Sequence, residues 1–132
     1  MKHSLQDDNY CFVCGEANHI GLRLKFTFDA GKAFAEFIPQ KSHQGYKDIV
    51  HGGIISTILD EAMVKAALMQ GLPAITGEIT VRFRNVLFTE EKTVVEAFIE
   101  KMNRKIIDAS SVLRKTDNTI IAEGKAKLLR QD

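Results

Sequence analysis

Gly53-Ile54-Ile55-Ser56-Thr57-Ile58-Leu59-Asp60-Glu61-Ala62-Met63-Val64-Lys65-Ala66-Ala67-Leu68-Met69-Gln70 is the stretch that decides the fold. Ile54, Ile55, Ile58, Leu59, Ala62, Met63, Ala66 and Met69 recur at helical spacing. Gly71 stands where a helix C-cap glycine belongs, and Pro73 bars continuation. Apolar residues cover well over half the circumference, which predicts a helix buried on most sides rather than laid on a surface. Only a narrow polar stripe remains, through Ser56, Thr57, Asp60 and Glu61.

The flanking sequence reads as strands. Residues 22–28 and 33–38 alternate apolar and polar around the turn Asp29-Ala30-Gly31-Lys32, and Pro39 ends the second of them. A polar loop covers residues 40–50. Beyond the helix, residues 75–83 place Ile75, Ile79, Val81 and Phe83 on one face and Thr76, Glu78, Thr80 and Arg82 on the other. Residues 93–102, 106–114 and 119–129 give three more strands, with Asn103-Arg104 and Asp117-Asn118 where tight hairpin turns belong. Hairpin-linked strands around one apolar helix predict an α+β fold with a curved antiparallel sheet wrapped around one long central helix.

Composition bounds the rest. A chain of 132 residues fits a single domain, residues 1–132, and buries roughly two-thirds of its unfolded surface, enough for a core without disulfides or a structural metal. The 18 Lys and Arg against 17 Asp and Glu give no support for a nucleic-acid or membrane-surface partner. The polar start, through Asp7-Asp8, lacks the apolar stretch of a signal peptide, and no segment approaches the ~20 apolar residues of a membrane span. The cytoplasm is the expected location, residues 1–10 are expected to be poorly ordered, and no cofactor is implied.

Three segments carry a family resemblance. Gln44-Gly45-Tyr46-Lys47-Asp48-Ile49-Val50-His51-Gly52-Gly53, running on to Asp60, resembles the loop and helix start of hotdog-fold thioesterases of the PaaI type. His-Gly-Gly with an acidic residue nine positions after the His is the most specific mark. Cys11-Phe12-Val13-Cys14-Gly15-Glu16-Ala17-Asn18-His19-Ile20-Gly21-Leu22 is similar to the family's Cys-Gly-x-x-Asn-Pro-x-Gly-Leu opening, with His19 in place of proline. Residues 76–86 look like its post-helix strand, with Asn85-Val86 in place of a common Arg-Pro ending. The resemblance implies a hotdog fold, hydrolysis of an acyl-CoA thioester with Asp60 as catalytic carboxylate, and a homodimer or homotetramer. It further implies that Thr76 orients the attacking water and that Gln44 hydrogen-bonds the carbonyl oxygen.

The chemistry gives these residue types a reason. Thioester hydrolysis builds negative charge on the carbonyl oxygen, and a helix N-terminus offers unpaired N–H groups and the positive end of a dipole. Gly52 and Gly53 carry no side chain to block that approach. Asp60 follows Gly52 by eight residues, about 12 Å at a rise of ~1.5 Å per residue, so one carbonyl cannot touch both within one chain. If both act on one substrate, they come from different subunits. Asp60 acts either as nucleophile or as general base on a water.

Other residues carry competing readings. His51 orients the substrate, acts as a base, or caps the helix with its ring. Glu61 points about 100° away from Asp60 and can pair with Lys65 four residues on. Cys11 and Cys14 are half a zinc site with no second Cys-x-x-Cys in the chain, so a packed thiol pair without metal is expected. Arg82 and Arg84 are candidates for binding CoA phosphates. Two rivals to hydrolysis use the same fold: a domain that binds acyl-CoA without turnover, and a hydratase or dehydratase pairing His51 with Asp60.

Overall fold

The computed structural model describes residues 2–132, and Met1, the first of the ten residues expected to be poorly ordered, lies outside them. Residues 2–10 carry no regular secondary structure, although the His3 N–H donates to Gln131 Oε1 at 2.6 Å. The elements run β1 (Thr27–Asp29), β2 (Lys32–Phe37), a 3₁₀ turn (Lys41–His43), α1 (Gly52–Leu68), β3 (Ala74–Phe83), β4 (Thr93–Met102), β5 (Ile106–Lys115) and β6 (Ile120–Arg130). The strands form one sheet in the order β1-β2-β4-β5-β6-β3, and every neighbouring pair is antiparallel. The one α-helix among the described residues packs against β2, β3, β4, β5 and β6, which is the hotdog arrangement.

The helix forms where its apolar period lies. Ile55, Ile58, Leu59, Ala62, Met63, Ala66 and Ala67 are buried against the sheet. Full burial of Ile58, Leu59 and Met63 contributes roughly 1.5–3 kcal/mol each. Small residues on the facing strands, Ala97, Ser111 and Gly124 in one cross-strand row, let the helix sit close. Its C-terminus closes in a Schellman motif: the Leu72 N–H donates to Ala67 O and the Gly71 N–H to Leu68 O, with Gly71 at φ +82°.

Two sequence expectations need correction. The first strand was expected over residues 22–28, but β1 is only Thr27–Asp29. Arg23 has φ +54°, which breaks the extended run, and the Leu22 and Leu24 N–H groups donate to the carbonyls of Phe12 and Val13 instead. The faces of β3 also differ from strict alternation. A β-bulge between Thr76 and Glu78 adds a residue at Gly77. Thr76 pairs with buried Leu128 and so faces the helix, whereas Ile75 pairs with Leu129 on the outer side. After the bulge Ile79, Val81 and Phe83 face inward opposite Ala126, Gly124 and Ala122, and Glu78, Thr80 and Arg82 face outward. Without that bulge Thr76 would not reach the helix.

Candidate active site

Asp60 sits half-buried in the middle of the helix, on the flank that the sheet leaves uncovered. Thr76, turned inward before the bulge, donates its hydroxyl to Asp60 Oδ1 at 2.5 Å. Asp60 Oδ2 has no hydrogen-bond partner, and no cation pairs with Asp60, among the described residues. One oxygen is held in place while the other stays available.

The helix N-terminus is arranged differently from the expected pair of open donors. His51 is the N-cap, and its Nδ1 accepts the Gly53 N–H at 2.8 Å. A backbone donor fixes the tautomer, leaving Nδ1 unprotonated. Gly53 therefore has its N–H occupied, while the Gly52 N–H carries no hydrogen bond among the described residues. The Phe83 ring lies against Gly52, where an added Cβ would come within 3.3 Å of Phe83 Cζ. Gly52, Ile55, Phe83, Arg84 and Val86 belong to one shallow cleft of about 300 Å³, which Asp60 does not line.

Gln44 stands at the start of the loop before the helix. Its Oε1 accepts the Asp48 N–H at 3.0 Å, and Asp48 takes φ +65° in that turn. The side-chain amide nitrogen of Gln44 is the donor left over. Arg84 lines the Gly52 cleft and pairs with Glu123 at 2.8 Å. Arg82 faces the outer side of the sheet in a second depression, beside Arg114 and Lys125, which Arg84 and Glu123 also line.

Around Asp60 and Gly52 the chain leaves apolar surface uncovered. Phe83 is 52% exposed and Ile79 37%, although both point to the helix side of the sheet. β3 is an edge strand of ten residues whose other edge has no partner among the described residues.

Glu61 occupies the opposite side of the polar stripe and pairs with Lys65 at 4.0 Å, as its spacing predicted. It also accepts from the Cys11 thiol at 3.3 Å. Sequence reasoning missed this contact, since nothing in either segment signals the other across fifty positions. Burial first, then hydrogen bonds to Glu61 and Cys11 and the Glu61 charge, push the Cys14 thiol up to about 12, against the opposing Lys65 ammonium. Burial works against the Lys65 charge, yet Cys14, Glu61 and Cys11 together hold its pKa above the ordinary value. Cys11, Cys14 and Glu61 are the three potential metal ligands that cluster among the described residues. Among the described residues no helix is long and apolar enough to cross a membrane.

Comparison with known proteins places this geometry in context. The family model of the thioesterase superfamily matches residues 47–122, more than half of the chain. A candidate esterase of Archaeoglobus fulgidus is 27% identical over 100 residues, covering 76% of this chain and 65% of its own length. A human acyl-coenzyme A thioesterase, THEM5, is 23% identical over 100 residues, covering 75% of this chain and 40% of its own length. The chain thus spans less than two-thirds of either relative. Among solved structures, the PaaI protein of the Escherichia coli phenylacetic acid degradation operon superposes with a TM-score of 0.77 at 19% identity, covering 83% of this chain and 80% of that one.

Proposed function

We propose that this chain, which belongs to the thioesterase superfamily, hydrolyses acyl-CoA thioesters to the free acid and CoA. The observation that carries the proposal is the Asp60–Thr76 pair, a half-buried carboxylate with one oxygen fixed at 2.5 Å and the other without a partner among the described residues. The similarity to a human acyl-coenzyme A thioesterase supports acyl-CoA as the substrate class.

In the proposed mechanism the thioester carbonyl oxygen takes the Gly52 N–H at the positive end of the helix, and the Gln44 side-chain amide adds a second donor. His51 holds the first turn by accepting from Gly53, so it positions the oxyanion donor rather than moving a proton. Asp60 attacks the carbonyl carbon directly, or takes a proton from a water that attacks it, and Thr76 keeps the carboxylate aimed. Collapse of the tetrahedral intermediate breaks the C–S bond and expels the CoA thiolate, which takes a proton; where water attacked, the free acid leaves directly, and where Asp60 attacked, a water then hydrolyses the mixed anhydride to release the acid and restore the carboxylate. Arg84, which lines the Gly52 cleft, is placed to meet a CoA phosphate by exchanging its Glu123 partner. Arg82, on the outer face, is the weaker candidate for that role.

Gly52 and Asp60 are about 12 Å apart along one helix, so a complete site takes Gly52 from one chain and Asp60 from another. The free edge of β3 and the uncovered Ile79 and Phe83 side chains are the surface on which a second copy would dock, as a homodimer or as half of a homotetramer. The test is free-thiol release from short, long and aromatic acyl-CoAs by the wild type and by Asp60→Ala. Turnover that Asp60→Ala abolishes while keeping its fold supports hydrolysis. Acyl-CoA binding without thiol release from any substrate would instead identify a binding domain.

A further inference from the structure

Cys11 and Cys14 lie in a turn built to hold both sulfurs still. The Gly15 N–H donates to Cys11 O at 2.8 Å, and the Leu22 and Leu24 N–H groups clamp Phe12 and Val13 at 2.9 and 2.8 Å. The turn is so tight that a Cβ on Gly15 would lie 2.4 Å from the Cys11 nitrogen, so no other residue fits. Within it the Val13 N–H is directed at Cys11 Sγ at 3.4 Å. The sequence supplies only this half of a metal site. The fold supplies a third ligand by bringing Glu61 from α1 to within 3.3 Å of Cys11 Sγ.

We propose that Cys11, Cys14 and Glu61 form a binding site for a single divalent zinc ion that staples the N-terminal turn to the central helix. The three ligand atoms lie within 4.8 Å of one another. A tetrahedral zinc with Zn–S near 2.3 Å and Zn–O near 2.1 Å needs its ligands about 3.5–3.8 Å apart. The Cys11–Glu61 separation of 3.3 Å is a few tenths of an ångström short of that range, and side-chain rotations bring the three ligands into it. Charge is also matched: two thiolates and a carboxylate around Zn²⁺ sum to minus one, and the Lys65 ammonium, 4.0 Å from Glu61, offsets it. On binding, the two thiol protons leave to solvent as the Zn–S bonds form, with no change of oxidation state. The fourth position falls to water, since the cluster borders a cavity of about 490 Å³. This inference is independent of the proposed hydrolysis.

Cobalt(II) is the probe. The full chain, reduced and stripped with a chelator, is titrated with cobalt and then with zinc. The site predicts one cobalt per chain with a thiolate-to-metal charge-transfer band, displaced stoichiometrically by zinc. Cys14→Ser abolishes the band, and the isosteric Glu61→Gln weakens binding by about tenfold or more. Zinc raises the melting temperature of the wild type but not of Cys14→Ser, and circular dichroism of both variants verifies the fold. Three results would overturn the proposal: no charge-transfer band in the reduced wild type, a band that survives Cys14→Ser, or unchanged affinity in folded Glu61→Gln. Formation of a Cys11–Cys14 disulfide by a protein that binds no metal when reduced would mark the pair as a redox couple and reject the zinc site.

Discussion

Asp60 and Glu61 are adjacent carboxylates on one helix, yet their surroundings differ in kind. Glu61 is paired on both sides, accepting from the Cys11 thiol and lying beside the Lys65 ammonium. Asp60, about 100° around the axis, has only the Thr76 hydroxyl. A carboxylate seldom lies buried without a partner, and one left with a bare oxygen on the uncovered flank of an apolar helix has little structural purpose. On the proposed mechanism the contrast assigns stability to Glu61 and chemistry to Asp60, although the sequence presents them as an Asp-Glu pair.

Substitutions can break that contrast in graded steps. Asp60→Asn should lower kcat by about 10²–10⁴-fold with little change in melting temperature, since it removes the carboxylate proposed as general base or nucleophile and keeps the shape. Steady-state thiol release together with thermal denaturation checks both halves. Gly52→Val keeps its N–H but places a side chain against Phe83, in the path of the carbonyl, and should cost about 100-fold in kcat. Thr76→Val removes the hydroxyl that aims Asp60, and about a tenfold loss in kcat with a smaller change in KM is expected. Glu61→Ala acts on the other side, lowering stability by about 1 kcal/mol in urea denaturation by stranding Cys11 and Lys65.

A last effect lies in alkali and is read in the metal-free chain. There Cys14 has its thiol pKa raised from 9.0 to about 12 in the folded state, so the unfolded chain loses this proton first. The corresponding stability is complete below pH 9 and is lost as pH rises towards 12. Wild type should therefore lose more stability than Cys14→Ser over that window, and equal losses would show that the thiol is not held protonated by the fold.

How much of this was legible in the sequence depends on the range of the signal. The helix was, because burial on most sides writes an apolar period that no other element produces. The first strand was misjudged because Leu22 and Leu24 alternate while Arg23 leaves the extended region, and composition does not register a positive φ. Ile75 was assigned to the face of Ile79 because the bulge at Gly77 shifts the period, and a lone glycine in a strand is only a weak hint of one. Asp60 and Thr76 were singled out by resemblance, and their contact depends on that same bulge. The capping role open to His51 is the one its ring performs, and it occupies the Gly53 N–H that had been expected to face substrate. Cys11 beside Glu61 had no sequence signal, since the helix and the N-terminal turn meet only once the chain has folded.

The central claim is that one site draws Gly52 and Asp60 from different chains. Asp60→Asn and Gly52→Val, each nearly inactive alone, would be co-expressed with two different affinity tags and assayed as purified mixed dimers. A mixed dimer holds one site with both residues intact and one with neither, so it should regain about half of wild-type activity per dimer. Mixed dimers that assemble fully, by native mass spectrometry, but remain as inactive as their parents would place both residues in one chain's site and contradict the account.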